Sequence, residues 1–383
     1  MTNTLLQLPW TLATVPHAAL DILRGCNIRC RDCYNLRPDS IQTLAEIEAQ
    51  LDTLTRIRRL QSVCIVGGEI TLHPDLVEIV RRVRRRGLFV ELFSNGVDLD
   101  DRMLAQLKLA GANVIYLHIE SNQSRPDLPA EATRKDLERL RAEKAALVTA
   151  HGIEAGLALT GYPEKPEEVE EAVAFTLESP DVCYLLVTWW RDIKRTPRIR
   201  GNLAEGLASE PASVLPASGH EVRPRELCRW FDQRFHLAPF AWLGSNRDAT
   251  DPRWLSFLVA AVHQQGKLSG YQSLRATCVE RTFLEASRRL AGRYPFYQAQ
   301  HPTQFALHLV LNGLAGGGLA RNLRLLGLAG RPGAQLNAKR ILFQWPAIVD
   351  PHGRVVHCHC CPDAVLKDGR LVPLCISDRV TQL

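Results

Sequence analysis

Three cysteines at a C-x3-C-x2-C spacing, Cys26, Cys30 and Cys33, are the residues best suited to chemistry in this chain. Thiolates are the normal ligands of iron–sulfur clusters, and three on one loop can hold a four-iron cluster with one iron left open. An open iron can chelate a substrate or cofactor. The same loop also reads as a zinc site short of one ligand, or as buried free thiols. No fourth Cys or His lies close in sequence, and His17 and His73 are distant. A second group, Cys358, Cys360, Cys361 and Cys375, is interleaved with His357 and His359 near the other end. Eleven cysteines clustered toward the two ends argue for metal ligation rather than disulfides.

The elements that must position these residues alternate along the chain. Apolar runs at 18–23, 62–66, 88–93, 113–119, 155–160 and 182–187 read as six strands. Five amphipathic segments between them read as helices. The first is capped by Ser40 and carries Leu44, Ile47, Leu51 and Leu54 on one stripe. The second follows Pro74-Asp75 with Leu76, Ile79, Val80 and Val83, and the rest span 101–109, 130–150 and 166–177.

Such alternation implies an α/β protein with a parallel sheet and a site at the strands' carboxyl ends. Six units in place of eight predict a partial (β/α)6 barrel over residues 1–193. Residues 194–224 read as a linker or long loop, and 225–338 as a mostly helical insertion. Residues 339–383 form a small Cys-rich C-terminal region. The notable polar residues follow the runs: Gly67, Gly68 and Glu69, then Ser94 and Asn95, then His118 and Glu120, then Trp189, Trp190 and Arg191.

The cysteine loop resembles that of radical S-adenosylmethionine (SAM) enzymes, and Gly67-Gly68-Glu69 is similar to that family's glycine-glycine-glutamate element. The resemblance covers roughly residues 17–190. It implies a [4Fe-4S] cluster whose open iron binds the amino and carboxylate groups of SAM. Electron transfer then cleaves SAM to methionine and a 5′-deoxyadenosyl radical, which abstracts hydrogen from an unactivated C–H bond. Gly67, Gly68 and Glu69 are implied at the methionine ammonium, Ser94 and Asn95 near SAM, and His118 and Glu120 at the ribose hydroxyls. Glycines allow close backbone approach, and Glu69 offers an acceptor for a charged amine. A reductant such as flavodoxin or ferredoxin is implied as partner. One departure stands out: Asp32 occupies the position before the third cysteine, where the family usually has an aromatic, and Tyr34 follows that cysteine.

The tail resembles the auxiliary-cluster (SPASM/twitch-like) regions of many radical SAM enzymes, which implies a second iron–sulfur cluster on Cys358, Cys361 and Cys375. Cys360 and the distant Cys278 are further candidates, and a structural zinc site competes. An auxiliary cluster could accept the substrate's electron, favouring oxidation, cross-linking or C–C bond formation, or could bind substrate or donate sulfur. Trp189, Trp190 and Arg191 are substrate candidates: aromatics to shield a radical, a guanidinium to bind an anion. The plainer reading makes one tryptophan core and pairs Arg191 with Asp192. Cys64, Cys183 and Cys228 read as small buried hydrophobes.

The apolar stretch 305–328 and a faint likeness of the tail to tetraether lipid synthases add a lipid to small-molecule and peptide substrates. That stretch would form core, a greasy channel or a membrane-adjacent face. With 46% hydrophobic and 23% charged residues the composition is that of an ordinary folded protein. No run approaches the ~20 apolar residues of a membrane span, and no signal peptide is read, so a cytoplasmic location is expected. The net charge of +6 is modest, and the basic run at 81–86 has no interleaved aromatics, so no nucleic-acid partner is expected. The rival class is a zinc-stabilised, non-catalytic binding protein on a degenerate barrel, against which intact Cys26, Cys30, Cys33 and Glu69 argue.

Overall fold

The computed structural model describes residues 5–35, 39–129, 131–191, 199–200, 222–294, 302–350 and 352–382. Six strands, β1 (His17–Asp21), β2 (Ser62–Val66), β3 (Phe89–Ser94), β4 (Val114–His118), β5 (Glu154–Gly161) and β6 (Val182–Trp189), pair in parallel in that order. Between them run α1 (Leu44–Ile57), α2 (Leu76–Arg85), α3 (Asp101–Ala110), α4 (Arg134–Ala150) and α5 (Pro166–Glu178). Their apolar stripes face the sheet: Ile47, Leu51 and Leu54 of α1 and Ile79, Val80 and Val83 of α2 are fully buried. The architecture is the α/β partial barrel that the alternation predicts.

Two helix starts differ from expectation. The cap of α1 is Thr43, not Ser40: its hydroxyl accepts the Glu46 N–H while the Glu46 carboxylate accepts the Thr43 N–H. A matching Thr133–Asp136 pair starts α4 at Arg134.

Beyond β6 the sheet continues. The 225–338 stretch contains most of α6 (Pro224–Phe235), together with α7 (Cys278–Ala291), α8 (Pro302–Asn312) and α9 (Leu319–Ala329). It also contains strands that the helical reading missed: β7 (Ala241–Gly244), β8 (Pro252–Gln264), β9 (Lys267–Ser273) and the start of β10 (Ala334–Gln344). The last strand, β10, pairs parallel to β6 and antiparallel to β8. The insertion adds four strands to the barrel sheet, and the N-terminal pair Leu6–Gln7, beside β7, brings it to eleven. The miss has a physical cause. Strand β8 is buried along almost its whole length, so its sequence is a near-continuous apolar run without the alternation that marks a half-exposed strand.

The tail returns to the barrel. A hairpin of β11 (Ala364–Lys367) and β12 (Arg370–Pro373) places Val365, with Leu374 just beyond, against Ala19, Cys64, Val66 and Phe93. Arg58, 2% exposed, donates to the carbonyls of His17, Cys361 and Pro362, fastening the tail to the start of β1. Most of the expected linker (194–198 and 201–221), like Asp192, lies outside the described residues. Among the described residues no helix is long and apolar enough to cross a membrane.

Candidate active site

The cysteine loop leaves β1 and is shaped by the turn that leaves β2. The Gly68 N–H donates to the Leu23 carbonyl and the Glu69 N–H to the Gly25 carbonyl, both at 2.9 Å. Only glycine fits this approach: a Cβ on Gly68 would lie 2.0 Å from the Gly25 oxygen, and one on Gly67 2.5 Å from the Leu23 oxygen. Farther along, Arg29–Cys30 pairs antiparallel with Gln123–Ser124, and the Tyr34 hydroxyl donates to the Gly67 carbonyl at 3.1 Å. Cys26 and Cys33 are thereby left exposed and Cys30 half-buried. Loss of water around the sulfur pushes up the Cys26 thiol, and pushes Cys33 up to about 11, so both are protonated at neutral pH before metal binds.

Glu69 is 1% exposed and ties strand ends together. Its Oε1 accepts from the Ser94 hydroxyl at 2.7 Å and from the Thr71 hydroxyl and N–H at 2.8 and 3.1 Å. Its Oε2 accepts from the Asn95 N–H at 2.7 Å. Oε1 is therefore saturated, and Oε2 alone has capacity for another donor. Gly67, Gly68, Ser94 and Asn95 line the central cavity, and the Asn95 amide nitrogen reaches Asn27 Oδ1 at 2.6 Å.

His118 and Glu120 also line this cavity, 3.3 Å apart. Burial on its own would lower His118, but the Glu120 carboxylate and a hydrogen bond with Cys30 raise it to about 10. Burial works against the Glu120 charge, and the His118 cation outweighs it, so the carboxyl stays below its usual range. Glu120 Oε2 accepts the Thr160 N–H at 2.7 Å, whereas Oε1 is buried with no partner. An orphaned buried acceptor costs roughly 1–3 kcal/mol, a cost that any donor entering the cavity would relieve. Arg125 donates to the Asn95 and His118 carbonyls and Arg141 to that of Ile119, bracing β3 and β4. Sequence reasoning missed both arginines, because nothing in spacing distinguishes a buried arginine from a surface one.

The cavity holds about 300 Å³. Cys26, Cys30 and Cys33 border it, and so do Cys358, Cys361 and Cys375 from the tail. Cys360 is not in this wall; its backbone is left-handed (φ 48°) and its sulfur lies 3.4 Å from His359 Nε2. Cys278 is exposed at the start of α7, also outside the wall. Conversely, Cys64, read from sequence as plain core, is part of it.

Trp189 stacks on Phe343 and borders the cavity, serving core and wall together. The Trp190 indole N–H donates to Asp32 Oδ2 at 2.8 Å, so an aromatic from β6's end stands beside the loop position that lacks one. Arg191 borders the cavity as well. One terminal nitrogen donates to the Ala347 carbonyl and the other to that of Cys375, which secures the tail. None of the 305–328 stretch borders this cavity, and Leu307, Leu311, Leu314 and Leu323 are exposed.

The sequence model of the radical SAM superfamily matches residues 20–176. Over those residues the chain carries a radical SAM domain. That family works with a [4Fe-4S] cluster and SAM, and the residues of this chain fit both groups: three thiols on one loop, a glycine turn only backbone could fill, and the orphaned Glu120 oxygen. It is 31% identical over 179 residues to the PqqA peptide cyclase of Gluconobacter oxydans, covering 44% of this chain and 48% of that one. It is 29% identical over 105 residues to the tungsten-containing aldehyde ferredoxin oxidoreductase cofactor-modifying protein of Pyrococcus furiosus, covering 26% of this chain and 30% of that one. It therefore spans less than half the length of either relative. Among solved structures, Streptococcus suis SuiB bound to S-adenosylmethionine is similar at 18% identity and a TM-score of 0.36, over 46% of this chain and 41% of that one.

Proposed function

We propose that this chain cleaves SAM reductively to oxidise or cross-link a peptide side chain, with a second iron–sulfur cluster taking the substrate's electron. One observation carries the reading: both cysteine groups border a single cavity of about 300 Å³. When bound, the cluster and SAM supply an electron and a 5′-deoxyadenosyl radical that removes hydrogen from a C–H bond.

The chain's own residues do the rest. Cys26, Cys30 and Cys33 hold three irons. Gly67 and Gly68 bring backbone to the methionine end of SAM, where Glu69 Oε2 accepts from the ammonium. Ser94 and Asn95 hold Glu69 in place, and Glu120 Oε1 accepts a ribose hydroxyl while His118 keeps that carboxylate charged. Asp32 orients Trp190, and Trp189 excludes water from the wall. Cys358, Cys361 and Cys375 hold the second cluster, within the 339–383 region appended to the 1–193 barrel. A protein reductant of the flavodoxin or ferredoxin kind, in a reducing cytoplasmic setting, supplies the electron.

A peptide is the favoured substrate because a relative is named a peptide cyclase. A lipid substrate is the second reading, favoured by exposed Leu307, Leu311, Leu314 and Leu323, and vesicle co-sedimentation would raise it.

The test is anaerobic reconstitution followed by iron, sulfide and 5′-deoxyadenosine assays. About eight irons per chain with deoxyadenosine supports two four-iron clusters, and about four limits the reading to the N-terminal one. Absence of iron would leave the zinc-bound, non-catalytic alternative.

A further inference from the structure

We propose that His17, Cys64 and Asp363 form a mononuclear zinc site that pins the tail to the barrel, separate from the cysteines assigned to clusters. The three donors come from three distant segments: the first residue of β1, the middle of β2, and the tail before β11. Their ligating atoms all lie within 4.8 Å of one another. His17 Nε2 and Asp363 Oδ1 are 3.4 Å apart. Zinc bonds of ~2.0–2.3 Å in a tetrahedron set neighbouring donors roughly 3.3–3.8 Å apart. The imidazole–carboxylate edge already has that length, and the thiol has to close by roughly 1 Å at most.

The donor chemistry narrows the ion. One imidazole, one thiolate and one carboxylate make a borderline set, too soft for magnesium or calcium and too hard for copper(I). The supporting contacts match as well. His17 Nδ1 is 2.6 Å from Ser62 Oγ, which orients the ring with Nε2 toward the site, and the Gln344 amide donates to Asp363 Oδ2, leaving Oδ1 toward it. His17 and Cys64 are buried at 4% and 3% exposure. Cys64 and Asp363 border the cavity, so the fourth coordination position opens toward it.

Burial and the neighbouring Arg340 and Arg58 guanidiniums hold His17 down at about 3, so the ring is neutral and offers a lone pair. Binding releases the Cys64 proton to solvent, and zinc with one thiolate and one carboxylate is neutral, so those guanidiniums do not oppose it. Without an ion the same residues would be a buried His–Asp pair beside an inert thiol, and the experiment distinguishes the two.

Full-length protein is purified aerobically without chelator and its zinc and iron are measured. About one zinc per chain is expected. It should persist when Cys358, Cys361 and Cys375 are all changed to Ser, and fall to background in Cys64→Ser and His17→Gln. Reconstituted iron in Cys64→Ser should equal wild type. Zinc that vanishes with the tail cysteines but survives Cys64→Ser would overturn the assignment, as would wild-type protein without zinc. Iron lost from Cys64→Ser would make Cys64 a cluster ligand instead. Should the variants misfold, cobalt(II) loading of wild type decides: a thiolate-to-cobalt charge-transfer band that survives alkylation of the exposed cysteines supports the site, and its absence overturns it. None of these readouts depends on SAM cleavage.

Discussion

Cys26 and Cys33 stand exposed on a loop held by a few backbone hydrogen bonds to the glycine turn, whereas Cys361 is buried and its flanking carbonyls are gripped by Arg58. One group is shaped by close backbone contact at a mouth, the other by packing of a returning tail against the barrel interior. The difference is chemical in consequence. A cluster that must take up an exchangeable cofactor needs an open face, while one that exchanges only electrons is better enclosed, where burial and hydrogen bonding tune its potential.

The largest effect that would break this contrast is at the loop. Cys30→Ala is expected to abolish 5′-deoxyadenosine formation with little change in thermal unfolding; retained cleavage would remove the loop from the chemistry. Cys361→Ser combined with Cys375→Ser is expected to lower reconstituted iron by about four per chain while SAM cleavage stays measurable. Unchanged iron there would erase the distinction between the groups. Gly68→Ala is expected to cost roughly 1–3 kcal/mol in urea unfolding and to deplete iron at the loop but not the tail, since the added Cβ would meet the Gly25 carbonyl at 2.0 Å.

Two smaller effects sharpen the comparison. Ligation requires thiolates; partial loss of water around the sulfur raises Cys33 to about 11, and a hydrogen bond donated to Cys358, with burial, raises Cys361 well above an ordinary thiol. Iron uptake is therefore expected to rise between pH 7 and 9 at both groups; a flat profile would contradict these assignments. Asp32→Ala is expected to raise the KM for SAM about fivefold, as for the loss of one hydrogen bond of ~1 kcal/mol, with kcat little changed.

The barrel was legible because short apolar runs such as Ser62–Val66 alternate with amphipathic stretches such as the unbroken α2 stripe. The α1 boundary was legible too, had Thr43 been weighed with Glu46 three residues on, since that reciprocal pair marks a helix start better than Ser40 does. Strand β8 was not, because a run of 13 residues, nearly all buried, has the length expected of a helix. Nor could spacing show that residues 358–375 share a cavity with residues 26–33, or that Cys64 faces it. Those facts arise from how the tail packs, and a cysteine in an apolar run looks the same whether it faces a helix or a void.

The pairing of β6 with β10 has a consequence for synthesis. Thr188 and its register partner Gln344 are 156 residues apart, so as the chain leaves the ribosome β6 waits with an unpaired edge while the whole insertion is made. At ~5–20 residues per second that interval is on the order of ten to thirty seconds. An open, apolar strand edge is a template for wrong pairing over that time. The nascent chain is thus most exposed to aggregation just before its tail arrives, and slower translation of the insertion would lengthen that hazard.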